Sequence, residues 1–357
     1  MMYSVIMAGG RGTRFWPASR RQRPKQLLTL FGQRSLLQRT VDRMAPLTPP
    51  ERVVVVTAAD HAEALAEQIP QVPAKNILVE PEGRNTAAAA GLAAAWVARR
   101  DPSAVCLVLP ADHLIDDEGL FLSTFERAAE AAAAQDALIT MGLKPTFAAT
   151  GYGYIEIGPV LEPGPPALHQ VAAFHEKPEP AVAESYLAGG RHLWNSGMFA
   201  WRAEVLLKEI EVHLPSLAEG LAGLAEDLGT ERQEGTLARH YPRLPAISVD
   251  YGVLEKTKNI RVVAAEFGWS DVGSWEAMAE LWDCDGQGNA CHQGEIVGHD
   301  AKDNLVSAGG RLAVLLGVDN QVVVVTDDVV LVMDRSRGQE LGEILKTIKD
   351  SGLDDHL

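Results

Sequence analysis

Short runs of β-branched and apolar residues recur along the first third of the chain: YSVIM at 3–7, RVVVVT at 52–57, NILVE at 76–80 and VCLVLP at 105–110. Between them lie amphipathic or Ala-rich stretches near 35–44, 60–68, 86–99 and 119–134, whose spacing predicts helices. Strands alternating with helices predict βαβ crossovers and an α/β fold on a mixed, mostly parallel sheet. In such open sheets ligands gather at the carboxyl ends of the strands, so chemistry is expected just after each run. From about 150 to 275 the pattern changes to aromatic strands, GYGYIEI, HLWNSGMFAW and IRVVAAEF, with helices near 181–188 and 203–228. This reads as an α+β insertion continuing the same domain. The Gly-rich, polar stretch CDGQGNACHQGE at 284–295 reads as a linker. Beyond it EIVGHD, NLVSAGG, RLAVLLGV, QVVVVTDD and VVLVMDR predict short strands, and GQELGEILKTIKDSG a closing helix. The expected organisation is a catalytic domain over 1–283 and a small β-rich region over 284–357, suited to packing or self-association through β-edges.

Composition narrows the class. With 46% hydrophobic and 22% charged residues, the 357-residue chain can bury one large core or two unequal ones. No apolar run approaches the ~20 residues of a membrane-spanning helix. The N-terminal MMYSVIMAGG meets Gly and Arg too early for a signal peptide, so a soluble cytoplasmic protein without membrane partners is expected. Cys106, Cys284 and Cys291 form an odd set without CxxC spacing, which argues against a disulfide framework or a cysteine zinc site. A net charge of −16 argues against nucleic acid as a partner. Yet residues 1–41 contain no Asp or Glu, while Arg11, Arg14, Arg20, Arg21, Arg23, Lys25, Arg34 and Arg39 all fall there. A basic segment on an acidic protein points to a local anion site.

The candidate chemistry follows the strands. MAGGRGTRFWPASRRQRPKQ comes directly after the first. Paired glycines let backbone N–H groups approach an anion, and Arg11, Arg14 and Lys25 add charge for a polyphosphate; the alternative is a tight turn before a solvated basic surface. No GK[ST] ending follows, which excludes a Walker A loop. Phe15 stands where a dinucleotide fingerprint needs its third small residue. In LPADH, Asp112 ends an apolar strand, and in FGWSDVGSWEAM, Asp271 sits in a polar turn. Either alone could be a helix cap or an Asx turn. Brought together they suit Mg²⁺, which takes one or two carboxylates plus phosphate oxygens. GYGYIEI, FHEKPEP and WNSGMF offer Gly153, Glu176, Lys177 and Asn195 at strand ends, fit for sugar hydroxyls and a phosphate. In EPEGRNTAAAAG, Asn85 and Thr86 read as helix caps, and Glu80, Arg84 and Asn85 as groups able to read a base edge.

The ordered series GGRGTRFWPASRRQRPKQ, EPEGRNTA, LPADH, GYGYI, FHEKP, WNSGMF, SVDYGVLEK and WSDVGSW resembles the mannose-1-phosphate guanylyltransferases, or GDP-mannose pyrophosphorylases, of bacterial type, over residues 3–280. The tail resembles the short, left-handed β-helical region that follows the catalytic domain there. The resemblance implies a Rossmann-like nucleotidyltransferase fold that joins GTP and mannose 1-phosphate with Mg²⁺, releasing pyrophosphate. On it, Gly9, Gly10 and Gly12 with Arg14 and Lys25 match the nucleotide-phosphate loop, and Asp112 and Asp271 the metal-binding aspartates. Gly153, Glu176, Asn195 and Asp250 match sugar-holding positions, and Lys177 the lysine facing the sugar phosphate. Glu80, Arg84 and Asn85 match the base-proximal motif, while Phe15 replaces a Leu common in relatives, a change expected to be harmless. Longer relatives continue into an isomerase domain, so a transferase without isomerase activity is expected. Still open are a nucleotidyltransferase taking glucose 1-phosphate with dTTP or UTP, a non-catalytic GDP-mannose-binding regulator, and a homodimer formed through the tail.

Overall fold

The computed structural model describes residues 1–10 and 12–357; Arg11, part of the basic loop, lies outside the described residues. The first strand, β1 (Met2–Ala8), is followed by α1 (Leu36–Met44), β2 (Val53–Ala58), α2 (Ala62–Gln68) and β3 (Ile77–Glu80). Then come α3 (Asn85–Ala98), β4 (Val105–Pro110), β5 (Leu114–Ile115), α4 (Glu118–Ala134) and β6 (Leu138–Leu143). The middle supplies β7 (Tyr154–Glu162), β8 (Leu168–His175), α5 (Pro180–Gly189) and β9 (His192–Arg202). It continues through α6 (Ala203–His213), α7 (Pro215–Ala225), α8 (Gln233–His240), β10 (Ile260–Ala265) and β11 (Trp269–Ser270). The tail holds β12 (Ala290–His299), β13 (Leu305–Leu316), β14 (Gln321–Val325), β15 (Val330–Asp334) and α9 (Leu341–Asp350).

One sheet of nine strands, ordered β3-β2-β1-β4-β9-β6-β10-β8-β7, organises the molecule. All of its strands except β9 and β8 run in one direction. The fold is therefore α/β on a mixed, mostly parallel sheet. The insertion supplies β7 to β10 of its far half, around β6, and β9 enters antiparallel between β4 and β6. Helices cover both faces. Beyond its exposed first two residues, the Ala-rich α3 is apolar on every side and buried from Ala87 to Val97, as such a helix must be. A Cβ on its Gly91 would lie 2.5 Å from Leu221 Cδ1 of α7, so the glycine sets how closely the two helices approach. Cys106 is buried in β4, where desolvation pushes its thiol up to about 12, which leaves it an inert core residue.

Several sequence expectations need revision. The stretch read as one helix near 203–228 is two, α6 and α7, broken at Leu214 because Pro215 lacks an N–H and disfavours helical geometry in the residue before it. The linker at 284–295 is only partly a linker. Ala290 onward pairs in parallel with β13, and a parallel partner distant in sequence leaves no local signal. NLVSAGG and RLAVLLGV, read as separate strands, form the single strand β13, with Gly309 and Gly310 at φ 58° and 79° absorbing the bulge between them. The tail sheet runs β12-β13-β14-β15, parallel except for the last pair. Among the described residues, no helix is long and apolar enough to cross a membrane.

Candidate functional site

The loop after β1 is braced from within. Gln26 Nε2 donates to the carbonyls of Ala8 (2.8 Å) and Gly10 (3.2 Å), and Ser19 Oγ donates to the Gly12 carbonyl at 2.7 Å. Gly12 is left-handed at φ 60°, and any Cβ there would run into Lys25. The loop is also tied to the far end of the described chain. Trp16 Nε1 donates to the His356 carbonyl at 2.7 Å, Arg20 donates to the same carbonyl, and His356 Nδ1 lies 2.9 Å from Asp328 Oδ2. Phe15 is buried against Trp275, ring centroids 5.0 Å apart, so this position is a core anchor for the loop. Arg14, in contrast, is exposed and makes no ion pair or hydrogen bond among the described residues.

Lys25 is the centre of the arrangement. Its Nζ lies 2.9 Å from Asp112 Oδ2 and donates to the Asp271 carbonyl at 2.6 Å, so the loop lysine joins the two aspartate motifs. The lysine side chain is 7% exposed and that of Asp112 30%, which puts the carboxylate on the solvent side of the pair. Burial alone would raise the Asp112 carboxyl, but the charge of Lys25 and its hydrogen bond outweigh it, so the group sits below the ordinary carboxylate range. Tyr152 OH donates to Asp271 Oδ1 at 2.9 Å. Lys25 thus takes one oxygen of Asp112 and Tyr152 one of Asp271, and the other oxygen of each has no side-chain donor among the described residues. A hard divalent cation that keeps waters takes one or two carboxylates of this kind. His113 accepts from Trp269 Nε1 at 3.0 Å, and burial pushes it down to about 4 despite the opposing charges of Asp112 and Asp271. It is a neutral neighbour of the carboxylates at pH 7.

A cavity of about 250 Å³ opens beside this cluster, lined among others by Asp271, Gly153, Glu176, Lys177, Asn195 and Asp250. Gly153 leaves room for the Glu176 carboxylate, since a Cβ there would lie 2.5 Å from Glu176 Oε2 and displace it. Asn195 Nδ2 donates to Asp250 Oδ1 at 3.0 Å, while its Oδ1 accepts from Thr140 Oγ1 at 3.2 Å. Asn195 is thereby oriented, with Asp250 fixed beside it. Burial raises both acids of this wall. Glu176 is pushed up to about 6, first by burial and then by Asp250, with Lys177 opposing from 3.4 Å. Asp250 is raised by burial against its hydrogen bond from Asn195.

Of the remaining motif, Thr86 and Ala90 line the cavity, whereas Glu80, Arg84 and Asn85 do not. Glu80 is buried, accepts from Tyr241 OH at 2.6 Å, and backs onto Gly9, where a Cβ would lie 3.3 Å from its Oε2. Burial raises its carboxyl, and the hydrogen bonds from Tyr241 and the Arg84 backbone counter only part of that. Arg84 donates to the Pro242 carbonyl and pairs with Glu82 at 3.1 Å. Asn85 stands at φ 64° with Arg84 in the cap position ahead of it, and its Oδ1 accepts the first-turn N–H of Thr86 at 2.7 Å, whereas the Thr86 side chain does not cap α3. Thr86 Oγ1 accepts from the Val249 N–H at 2.9 Å instead, tying α3 to the segment that carries Asp250. Sequence reading overlooked Tyr152, Gln26, Trp269 and Tyr241. Tyr152 and Gln26 lie inside motifs already singled out, and their pairing with the site is visible only once strands are assembled.

Comparison with known proteins bears on this arrangement. Residues 3–286 match the nucleotidyl transferase family. The xanthan biosynthesis protein XanB of Xanthomonas campestris pv. campestris is 42% identical over 98% of this chain and 73% of its own length. A mannose-1-phosphate guanylyltransferase of Klebsiella pneumoniae is 40% identical over 98% of this chain and 74% of its own. A solved structure from Thermus thermophilus, described as a mannose-1-phosphate geranyltransferase, is 37% identical with a TM-score of 0.87, covering 98% of this chain and 99% of that one.

Proposed function

The chain belongs to the nucleotidyl transferase family, and from that membership we propose that it transfers GMP from GTP to mannose 1-phosphate, giving GDP-mannose and pyrophosphate. The observation that carries the chemistry is Lys25 joining Asp112 to Asp271 at the Gly loop, beside the cavity that holds Glu176, Lys177, Asn195 and Asp250.

The sugar phosphate is already an anion near neutral pH, so an oxygen of it can attack the α-phosphorus of GTP in line, with no covalent enzyme intermediate and no general base. The protein's task is to align two anions and screen their repulsion. The loop glycines Gly9, Gly10 and Gly12 leave backbone room for the triphosphate, and Arg14 is free to swing onto it. Lys25 lies where the leaving charge develops. Lys177, on the opposite wall, orients the sugar phosphate, while Glu176, Asn195 and Asp250 accept and donate hydrogen bonds to its hydroxyls and Gly153 leaves space for the ring. Glu80, Arg84 and Asn85 flank the base side of the loop. Nucleotidyl transfer of this kind takes a divalent cation, and we assign Mg²⁺ to the free oxygens of Asp112 and Asp271, where it would neutralise phosphate charge. The exposed apolar side chains Val297, Leu312, Val314 and Leu316 of β12 and β13 support the further reading of a homodimer through the tail, which light scattering across concentrations tests.

Pyrophosphate release with Mg²⁺, over a matrix of GTP, ATP, UTP, dTTP and CTP against mannose 1-phosphate and glucose 1-phosphate, tests the function. Turnover is expected to be strongest with GTP and mannose 1-phosphate. Preference for another pair would move the specificity, and absence of turnover in protein that binds GDP-mannose would replace the transferase with a regulator.

A further inference from the structure

Away from the cation cluster of the transfer site, Glu156, His175 and His192 bring one ligand atom each to within 4.8 Å of one another. The sheet register explains why. β7 lies between β8 and β9, with Glu156 opposite His192 and Tyr154 opposite His175. Tyr154 and Glu156 are two residues apart on one strand, so both histidines and the glutamate project from the same face. We propose that these three residues form a second metal site, for a borderline transition-metal ion of the zinc class, that clips β8 and β9 to β7.

Two imidazoles and a carboxylate are a donor set for Zn²⁺ or Co²⁺ and a poor one for Mg²⁺. Ligand bonds of about 2.0–2.1 Å place donors roughly 3.4 Å apart around one ion, so closure requires side-chain rotation of about an ångström. The surroundings hold the imidazoles ready. Tyr186 stacks on His192 with centroids 3.9 Å apart and on His175 at 5.4 Å. His192 Nδ1 is buried without a hydrogen-bond partner among the described residues, a deficit that hydrogen bonding within the fold does not cure. Arg191 pairs with Glu156 Oε1 but is itself exposed, so it can leave for solvent when an ion arrives. The site adjoins the cavity through the chain: His175 precedes Glu176, and His192 lies on the strand that carries Asn195.

The test is calorimetric titration of the full chain with Zn²⁺ in excess Mg²⁺, so that oxygen-only sites are already filled, together with thermal melts. The expected result is one equivalent of Zn²⁺ in the wild type with a rise in Tm. Affinity should fall roughly tenfold or more in both His192→Asn and Glu156→Gln, and the Tm response should vanish. If one variant fails to fold, the other decides. Asp271→Asn should retain the Zn²⁺ equivalent. Absence of binding, or binding unchanged in the variants but lost in Asp271→Asn, overturns the proposal without touching the transferase assignment.

Discussion

Gly12 and Lys25 pack so closely that a Cβ on the glycine would lie 2.4 Å from the Cβ of the lysine and 2.9 Å from its backbone N. The glycine also holds φ at 60°, so two separate demands meet at one position. The loop proposed to cradle phosphate and the lysine proposed to neutralise it are thereby fixed to each other.

Gly12→Ala should therefore lower stability and turnover together. The left-handed backbone costs a side chain about 1–2 kcal/mol, and relieving the contact moves Lys25 off Asp112. A fall in kcat/KM of about tenfold or more is expected alongside a lower Tm. Unchanged kcat/KM would show that the lysine's position is not critical.

Lys25→Met removes the cation from between Asp112 and Asp271. Loss of one such electrostatic contact to the transition state is worth about 3 kcal/mol, on the order of a hundredfold in kcat. Because Lys25 helps hold the Asp112 carboxyl low, the variant's residual activity should also decline at a higher pH than wild type when the medium is acidified. Pre-steady-state rates across pH measure both effects, and near-normal turnover would refute the role.

Glu176 provides a pH signature. Its pKa is raised from 4.5 to about 6, so the native state holds this proton more tightly than the unfolded chain. Its contribution to stability is fully present below about pH 4.5 and is lost as pH rises through about 6, amounting to about 2 kcal/mol. Glu176→Gln should flatten that part of the stability profile in urea denaturation. It should also raise KM for mannose 1-phosphate more than KM for GTP. A wild-type-like pH slope in the variant would assign the titration elsewhere.

Tyr241→Phe leaves Glu80 buried without the donor that meets its Oε1 at 2.6 Å. A loss of about 1–3 kcal/mol is expected, read from the denaturation midpoint. Since Glu80 backs Gly9, KM for GTP should rise as well, and a change in neither quantity would remove Glu80 from the loop's support.

The near half of the fold was legible in the sequence because β1 to β4 are buried on both faces and read as continuous apolar runs between helices. Lys25, Asp112 and Asp271 could be singled out as polar residues placed where packing alone would not put them. What escaped were relationships that exist only after assembly. Nothing around Tyr152 announces that its hydroxyl will hold Asp271, distant in the chain. Nothing in the Gly-rich stretch before β12 reveals a parallel partner, and only the register of β7 with its two neighbours brings Glu156 to His175 and His192. Thr86 read as a helix cap because a hydroxyl ahead of an Ala-rich run usually is one; here the Val249 amide claims it. The break between α6 and α7 was legible in Pro215 and was outweighed by the apolar periodicity on both sides.

The bond from Trp16 to the His356 carbonyl joins positions 340 residues apart. On the ribosome, the Gly loop is made before its partner, and this brace cannot form until residue 356 has been added. The nascent chain therefore carries its Gly loop without that support while the 340 residues to His356 are added. A loop made before the rest of the site is thus braced only after it.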